Sequence, residues 1–493
     1  MARCSEDQAC SLSGECVRAG FHANFAALQG PFSKGQDVTA ACLDCHEEEA
    51  QEMLQSPHWL WTGPTPNVEG LENVTTSGKN DFVNNFCVSV PGNEARCAQC
   101  HAGYDYKDDT FDFTNERNID CLVCHADEKA GYVKGQKSAG QPEPTVDLVL
   151  AAQSVGPTSV ETCGSCHFYA GGGDNVKKGD LGSALEHPTF ESDVHMGQGI
   201  TCSNCHDQGG HVVRGQGVHL AVSRGRLDCA ECHGQTVHAT AGVNLGSMID
   251  NHAIDVACQT CHIPSFSRQQ PTKMDWDWST AGNNTRGGGT GAESMTLADG
   301  TVVQSYLQIK GDFVWEKNVK PTFAWNNGRV SRVTLDTIYP VGRGGPESPV
   351  VLAEPLASIA DADAKIYPFK VMTGRQPAHL ADRYMIAPDL FGPGAFWAGV
   401  PPAGSYTPEA VRNLWTASLI AGAKLAGQIG ANETIADNEW DFVNTVMYMS
   451  INHEVAPSVS SLGCNDCHGN PSFPWAELGY PGDCGSTANC GRH

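Results

Sequence analysis

The chain has 493 residues, 56 acidic against 31 basic, for a formal charge of −25. That balance argues against nucleic acid or an anionic membrane as the main partner and favours a redox partner bearing basic patches. No run of about 18 apolar residues occurs, so no transmembrane helix is expected; the most apolar stretch, Ala417 to Ala431, is broken by Lys424 and Gln428.

The opening Met1-Ala2-Arg3-Cys4-Ser5-Glu6 lacks the apolar centre of a secretion signal, so the numbering is expected to begin after a removed leader. Cys4, Cys10 and Cys16 follow, and Cys484 and Cys490 stand at the other end. Paired cysteines at chain ends suit an oxidising, periplasmic or extracellular location. Cys10 with Cys16 and Cys484 with Cys490 are the simplest pairs, although connectivity is not encoded in spacing.

Residues 31–270 carry seven Cys-x-x-Cys-His motifs and the C-terminal segment an eighth. In order they are Cys42, Cys45 and His46; Cys97, Cys100 and His101; Cys121, Cys124 and His125; Cys163, Cys166 and His167; Cys202, Cys205 and His206; Cys229, Cys232 and His233; Cys258, Cys261 and His262; Cys464, Cys467 and His468. Each is the attachment signature of a c-type haem: two thiols bond to the vinyl groups, and the adjoining His is the proximal iron ligand. Chance placement predicts only about 0.04 such motifs for this composition, so eight covalent haems c are expected. A structural calcium ion is left open.

Eleven further histidines are candidates for the opposite iron position, where a second His makes a haem suited to electron transfer and an exchangeable ligand suits catalysis. His22 and His58 flank the first motif, His195 and His211 flank the fifth, His238 and His252 lie between the sixth and seventh, and His453 precedes the eighth. Those seven would fill seven haems and leave one. His187 and His219 are weaker candidates, and His379 and His493 are read as non-ligands. After the fourth motif runs Gly171-Gly172-Gly173-Asp174-Asn175-Val176-Lys177, where glycines permit close backbone approach and a neutral Lys can bind iron.

Between Met295 and Val341, Thr301-Val302-Val303, Val314-Trp315 and Val330 to Leu335 alternate with Gly and Asn turns and read as short strands. The Gly-rich segment Gly282 to Gly291 lacks the context of a phosphate loop and reads as a surface loop. Thr407 and Pro408 begin a helix with Val411, Leu414, Trp415 and Leu419 on one stripe. A second helix is expected from Asp437 or Asn438, with Trp440, Val443, Met447 and Ile451 on one face.

The fold expected is therefore mainly α and irregular: an N-terminal disulfide-rich arm (1–30), a densely packed heptahaem body (31–270), a haem-free, small β-containing insert (271–400), and C-terminal helices with the eighth haem and a disulfide-rich tail (401–493).

Nearly the whole chain resembles the octahaem tetrathionate reductase family of bacterial multihaem cytochromes. The likeness rests on the seven-plus-one arrangement, Gly30-Pro31-Phe32 before the first motif, His58-Trp59-Leu60-Trp61, the glycine run through Lys177, Cys258 to Pro264, and Ile451-Asn452-His453. It implies that the haem at Cys97, Cys100 and His101 is catalytic, with Lys177 as distal ligand and Asp174, Asn84 and Cys87 beside it. It also implies reduction of tetrathionate, nitrite or hydroxylamine, with electrons from partner cytochromes or a quinol-linked donor. The alternative is a non-catalytic conduit, as a homo-oligomer or polymerised filament, whose haem packing would be the same.

Overall fold

Several attachment motifs form little more than one helical turn, as at Cys202–Cys205, Ala230–His233, Cys258–His262 and Cys464–Cys467, whereas the first and second begin at the ends of the helices Gly35–Leu43 and Glu94–Cys97. One turn brings residues three apart to the same side, which is what two thiols sharing a macrocycle require. These turns lie in a computed structural model that describes residues 8–10, 16–18, 20–86, 88–206, 209–215, 227–392, 394–400 and 406–481. Cys4, Cys87, Cys484, Cys490, His219 and His493 lie outside the described residues.

At the N-terminus, β1 (Gln8–Cys10) pairs antiparallel with β2 (Cys16–Arg18), setting Cys10 opposite Cys16 in register. Cys16 is disulfide-bonded. Two residues each from β3 (Thr62–Gly63) and β4 (Ser77–Gly78) form a second small ladder.

The expectation of a mainly α fold with a small β insert is corrected by a ten-stranded mixed sheet. Its strands are β5 (Thr272–Asp277), β6 (Ala292–Thr296), β7 (Val302–Leu307), β8 (Gly311–Glu316), β9 (Thr322–Asn326), β10 (Val330–Arg332), β11 (Val350–Pro355), β12 (Lys365–His379), β13 (Tyr384–Met385) and β14 (Trp440–Ser450). The order is β10-β11-β14-β12-β5-β8-β7-β6, with β9 and β13 also on β12. The expected second C-terminal helix is thus a strand. β14 pairs antiparallel with β12 from Trp440↔His379 to Ser450↔Phe369, and Val443, Thr445, Met447 and Met449 are buried in alternation. The sheet consequently runs past residue 400, the expected edge of the β insert.

The other C-terminal helix, Pro408–Leu425, begins where expected: Thr407 Oγ1 accepts from Ala410 N at 3.1 Å, and Val411, Trp415 and Leu419 are buried. It packs on the sheet through Trp415, stacked on Phe396 at 3.9 Å, within a core that includes Trp276, Trp278 and Trp440. Gly282 to Gly291 is a loop with one short turn at Gly287–Gly289. His379 stacks on Tyr384 in β13.

Candidate functional site

None of the sixteen motif cysteines is engaged in a disulfide. Thiols of different motifs sit side by side: Cys42 with Cys121, Cys100 with Cys166, Cys163 with Cys202, and Cys229 with Cys258. Cys124 is within electrostatic reach of Cys163, Cys205 of Cys232, and Cys261 of Cys464. These contacts string the attachment points in the order first, third, fourth, fifth, sixth, seventh and eighth. The second joins this string beside the fourth.

Seven imidazole pairs face one another across the same array. His22 and His46 have ring centroids 6.3 Å apart, His58 and His167 6.2 Å, His125 and His211 6.4 Å, and His195 and His233 6.0 Å. His206 and His453 are 6.2 Å apart, His238 and His262 6.1 Å, and His252 and His468 6.1 Å. Two imidazoles bonded to one metal at about 2 Å on either side leave their ring centres about 6 Å apart. All seven pairs meet that spacing without contact between the rings.

Hydrogen bonds at Nδ1 hold many of these rings in place. His125 Nδ1 meets Gly156 O at 2.8 Å, His206 Nδ1 meets Arg214 O at 2.9 Å, and His252 Nδ1 meets Met248 O at 2.9 Å. Carboxylates serve His238 (Asp250, 2.8 Å), His211 (Glu52, 3.1 Å) and His453 (Asp180, 3.3 Å). Such partners fix the tautomer and strengthen the ring as a donor to metal.

Seven of the motifs, the second to the eighth, contribute both cysteines or one to the walls of a continuous cavity of ≈ 2990 Å³ shared with much of the histidine array. Ordinary ligand pockets are about 300–1,000 Å³, so this one has room for several macrocycles. Opposed imidazoles, free thiols and this cavity together fit covalent haem.

His101 is different. It is fully buried among Trp59, Trp61, Tyr106, Phe111 and Phe113, its Nε2 is 2.5 Å from Trp59 O, and no imidazole pairs with it among the described residues. Burial, partly countered by the Trp59 contact, lowers its pKa to about 3. Cys97 and Cys100 line the cavity, and so does Lys177.

Lys177 follows a turn built on the glycine run. Gly171 and Gly172 have φ of +85° and +87°, and a Cβ on Gly171 would stand 3.2 Å from Lys177 N, so both the turn and the close approach call for glycine. Burial, then the charges of Lys79, Lys178 and Arg332, lower the Lys177 pKa to about 7. Asp174 does not line the cavity; its carboxylate accepts from Ser183 N at 2.8 Å and Ser183 Oγ at 2.5 Å, tying off the loop. Asn84 does line it, and its side chain accepts from Phe86 N and donates to Val88 O at 3.1 Å each. Cys87 itself lies outside the described residues.

Two basic side chains of the wall, Lys79 and Arg332, escaped attention in the sequence because they belong to no motif. Burial lowers the Arg332 pKa to about 9. In an acidic protein these cations make the neighbourhood of Lys177 locally positive.

The Cytochrome c bacterial family matches residues 273–471. The crystal structure of an octaheme cytochrome c from Shewanella oneidensis superposes with a TM-score of 0.78 at 36% identity, covering 93% of this chain and 96% of that one. The chain is a multihaem cytochrome c. An uncharacterized protein of Archaeoglobus fulgidus is 24% identical over 220 residues, which are 34% of this cytochrome and 73% of that protein. The cytochrome thus carries covalently bound haem c and serves electron transport. Among its described residues no helix is long and apolar enough to cross a membrane, and no group of three or more His, Cys, Asp or Glu is gathered as for a metal ion.

Proposed function

We propose that all eight motifs carry haem c and that this cytochrome is a periplasmic or extracellular reductase of small sulfur or nitrogen oxy-compounds, tetrathionate, nitrite and hydroxylamine among them. The observation that carries the reading is an asymmetry: among the described residues seven motif histidines oppose a second imidazole, while His101 has none and Lys177 lines the cavity near Cys100. His22, His58, His211, His453, His195, His238 and His252 are assigned as distal ligands to the haems of His46, His167, His125, His206, His233, His262 and His468.

When bound, the haems supply one-electron transfer and, opposite His101, one position whose ligand can exchange. Lys177 is assigned to that position as a neutral amine, a form favoured by burial and by the surrounding cations. Lys79 and Arg332 draw anions toward it. Asn84 holds the loop that carries Cys87, and Asp174 holds the loop that carries Lys177. For tetrathionate, the Cys87 thiolate is assigned attack on the central S–S bond, releasing one thiosulfate; two electrons then free the second.

Lys177→His is expected to give an eighth bis-His signal in electron paramagnetic resonance and to lower nitrite and hydroxylamine turnover at least about hundredfold. Wild-type turnover in both Lys177→His and Cys87→Ser would end this assignment.

One observation favours a second reading, a conduit. The attachment string ends at the first and eighth motifs, where His46, His252 and His468 are exposed, so electrons have an accessible point at each end. Micrographs of the purified cytochrome showing filaments of end-joined copies, together with eight inert bis-His centres, would transfer the assignment to a wire.

A further inference from the structure

We infer that Arg332 is an anion-binding residue of the chamber beside Lys177, holding a pair of oxygens from a carboxylate or an inorganic oxyanion. The inference rests on Lys177 marking the reactive position.

Arg332 ends β10 and is 9% exposed, and its side chain lines the cavity. Its guanidinium lies 4.6 Å over the Phe82 ring, and Nη2 makes one long contact, 3.5 Å, to Val83 O. Nε and Nη1 are buried and have no acceptor among the described residues. A guanidinium carries five donors in a rigid fork and stays charged, so leaving this edge buried and empty is costly. The surface arginines show the contrast: Arg286 forms paired contacts to Glu293 and Asp312, and Arg412 bonds Asp437.

Among the described residues no carboxylate is paired with Arg332. The largest charge effects on nearby Lys177 among the described residues come from Lys79, Lys178 and Arg332, opposed by the Cys100 thiol. The other buried wall atoms that lack partners are Trp278 Nε1, Trp397 Nε1 and Ser89 Oγ. Each is a donor, and none is solely an acceptor. Asp193, Asp228, Glu231 and Asp363 also line the cavity, but none is paired with Arg332, and its unpartnered donor edge together with these other donors is complementary to an oxyanion.

Two sources share this chemistry: an anionic substrate and the propionate of an adjacent haem. The test uses the fully haem-loaded cytochrome and its Arg332→Met and Arg332→Lys variants. Sodium nitrite and sodium sulfate are titrated while the optical and paramagnetic spectra of the Lys177-opposed haem are followed, and midpoint potentials are measured in parallel. Substrate binding predicts that Arg332→Met weakens nitrite and sulfate about ten- to hundredfold and hydroxylamine, uncharged near neutral pH, less than about threefold. Arg332→Lys, which keeps the charge and loses the fork, recovers part of the loss. Propionate binding predicts unchanged anion affinity and a lower midpoint potential for one haem in Arg332→Met. Unchanged affinities and potentials in both variants would overturn the inference. Arg332→Lys carries the same readouts should Arg332→Met fail to take up its haems. These are equilibrium measurements, so they decide the role of Arg332 even if the cytochrome turns over none of the proposed substrates.

Discussion

Asp180 shows how one buried side chain adjusts a histidine far away in sequence. Its Oδ2 accepts from Asn452 N at 2.6 Å, from His453 N at 2.9 Å and from His453 Nδ1 at 3.3 Å. Burial pushes its carboxyl pKa up, but Lys178 and the His453 hydrogen bond prevail and hold it well below the usual carboxylate range. The carboxylate therefore remains charged behind the ring and makes Nε2 a stronger donor. Asp180→Asn is expected to raise the midpoint potential of the haem between His206 and His453 by on the order of tens of millivolts in a potentiometric titration. At this scale the motifs are legible in sequence because attachment demands local spacing. Which distal imidazole opposes which motif is not: His58 flanks the first motif but faces His167 of the fourth, and His453 precedes the eighth but faces His206 of the fifth. Proximal ligands are set by one turn of chain, whereas distal ones arrive by long-range packing. Arg332 had no signal at all, since an Arg in a short strand is ordinary until its surroundings are known.

The strands β12 and β14 show where periodicity misleads. Trp440, Val443, Met447 and Ile451 are spaced by three and four residues, a helical pattern, yet Val443 and Met447 also fit a two-residue alternation. Pairing with the buried β12 settles the matter, because every backbone group of a buried segment needs a partner. β12 carries its own liability in Lys370, fully buried and donating to Val176 O and Thr272 Oγ1 at 2.6 Å each. Burial lowers its pKa to about 7. Between that value and about 10.4 the unfolded chain binds a proton that the folded one lacks, so stability rises with pH across this window, by up to about 1.4 kcal/mol per pH unit. Below it both states are protonated, and the contribution is flat. Lys370→Met is expected to remove that slope in guanidinium unfolding curves measured from pH 7 to 10. An unchanged slope would assign it to other groups.

For the whole molecule, the order of neighbouring thiols makes the fourth motif a junction between the second motif and the rest. His58→Met is expected to raise the potential of the haem at His167, since a Met ligand favours the reduced iron. Electrons would then lodge at the junction. Stopped-flow reduction should show the Lys177-opposed haem filling more slowly while the others keep their rates; uniform rates would deny the junction. The space that seven motifs share also bears on how the molecule is held together: macrocycles bound there supply apolar surface against which the surrounding side chains pack. Seven motifs precede His453 in the chain, so under the proposed pairing the haem of His206 closes its coordination only with the last tenth of the sequence, and a product truncated before His453 is expected to carry that haem with an open position.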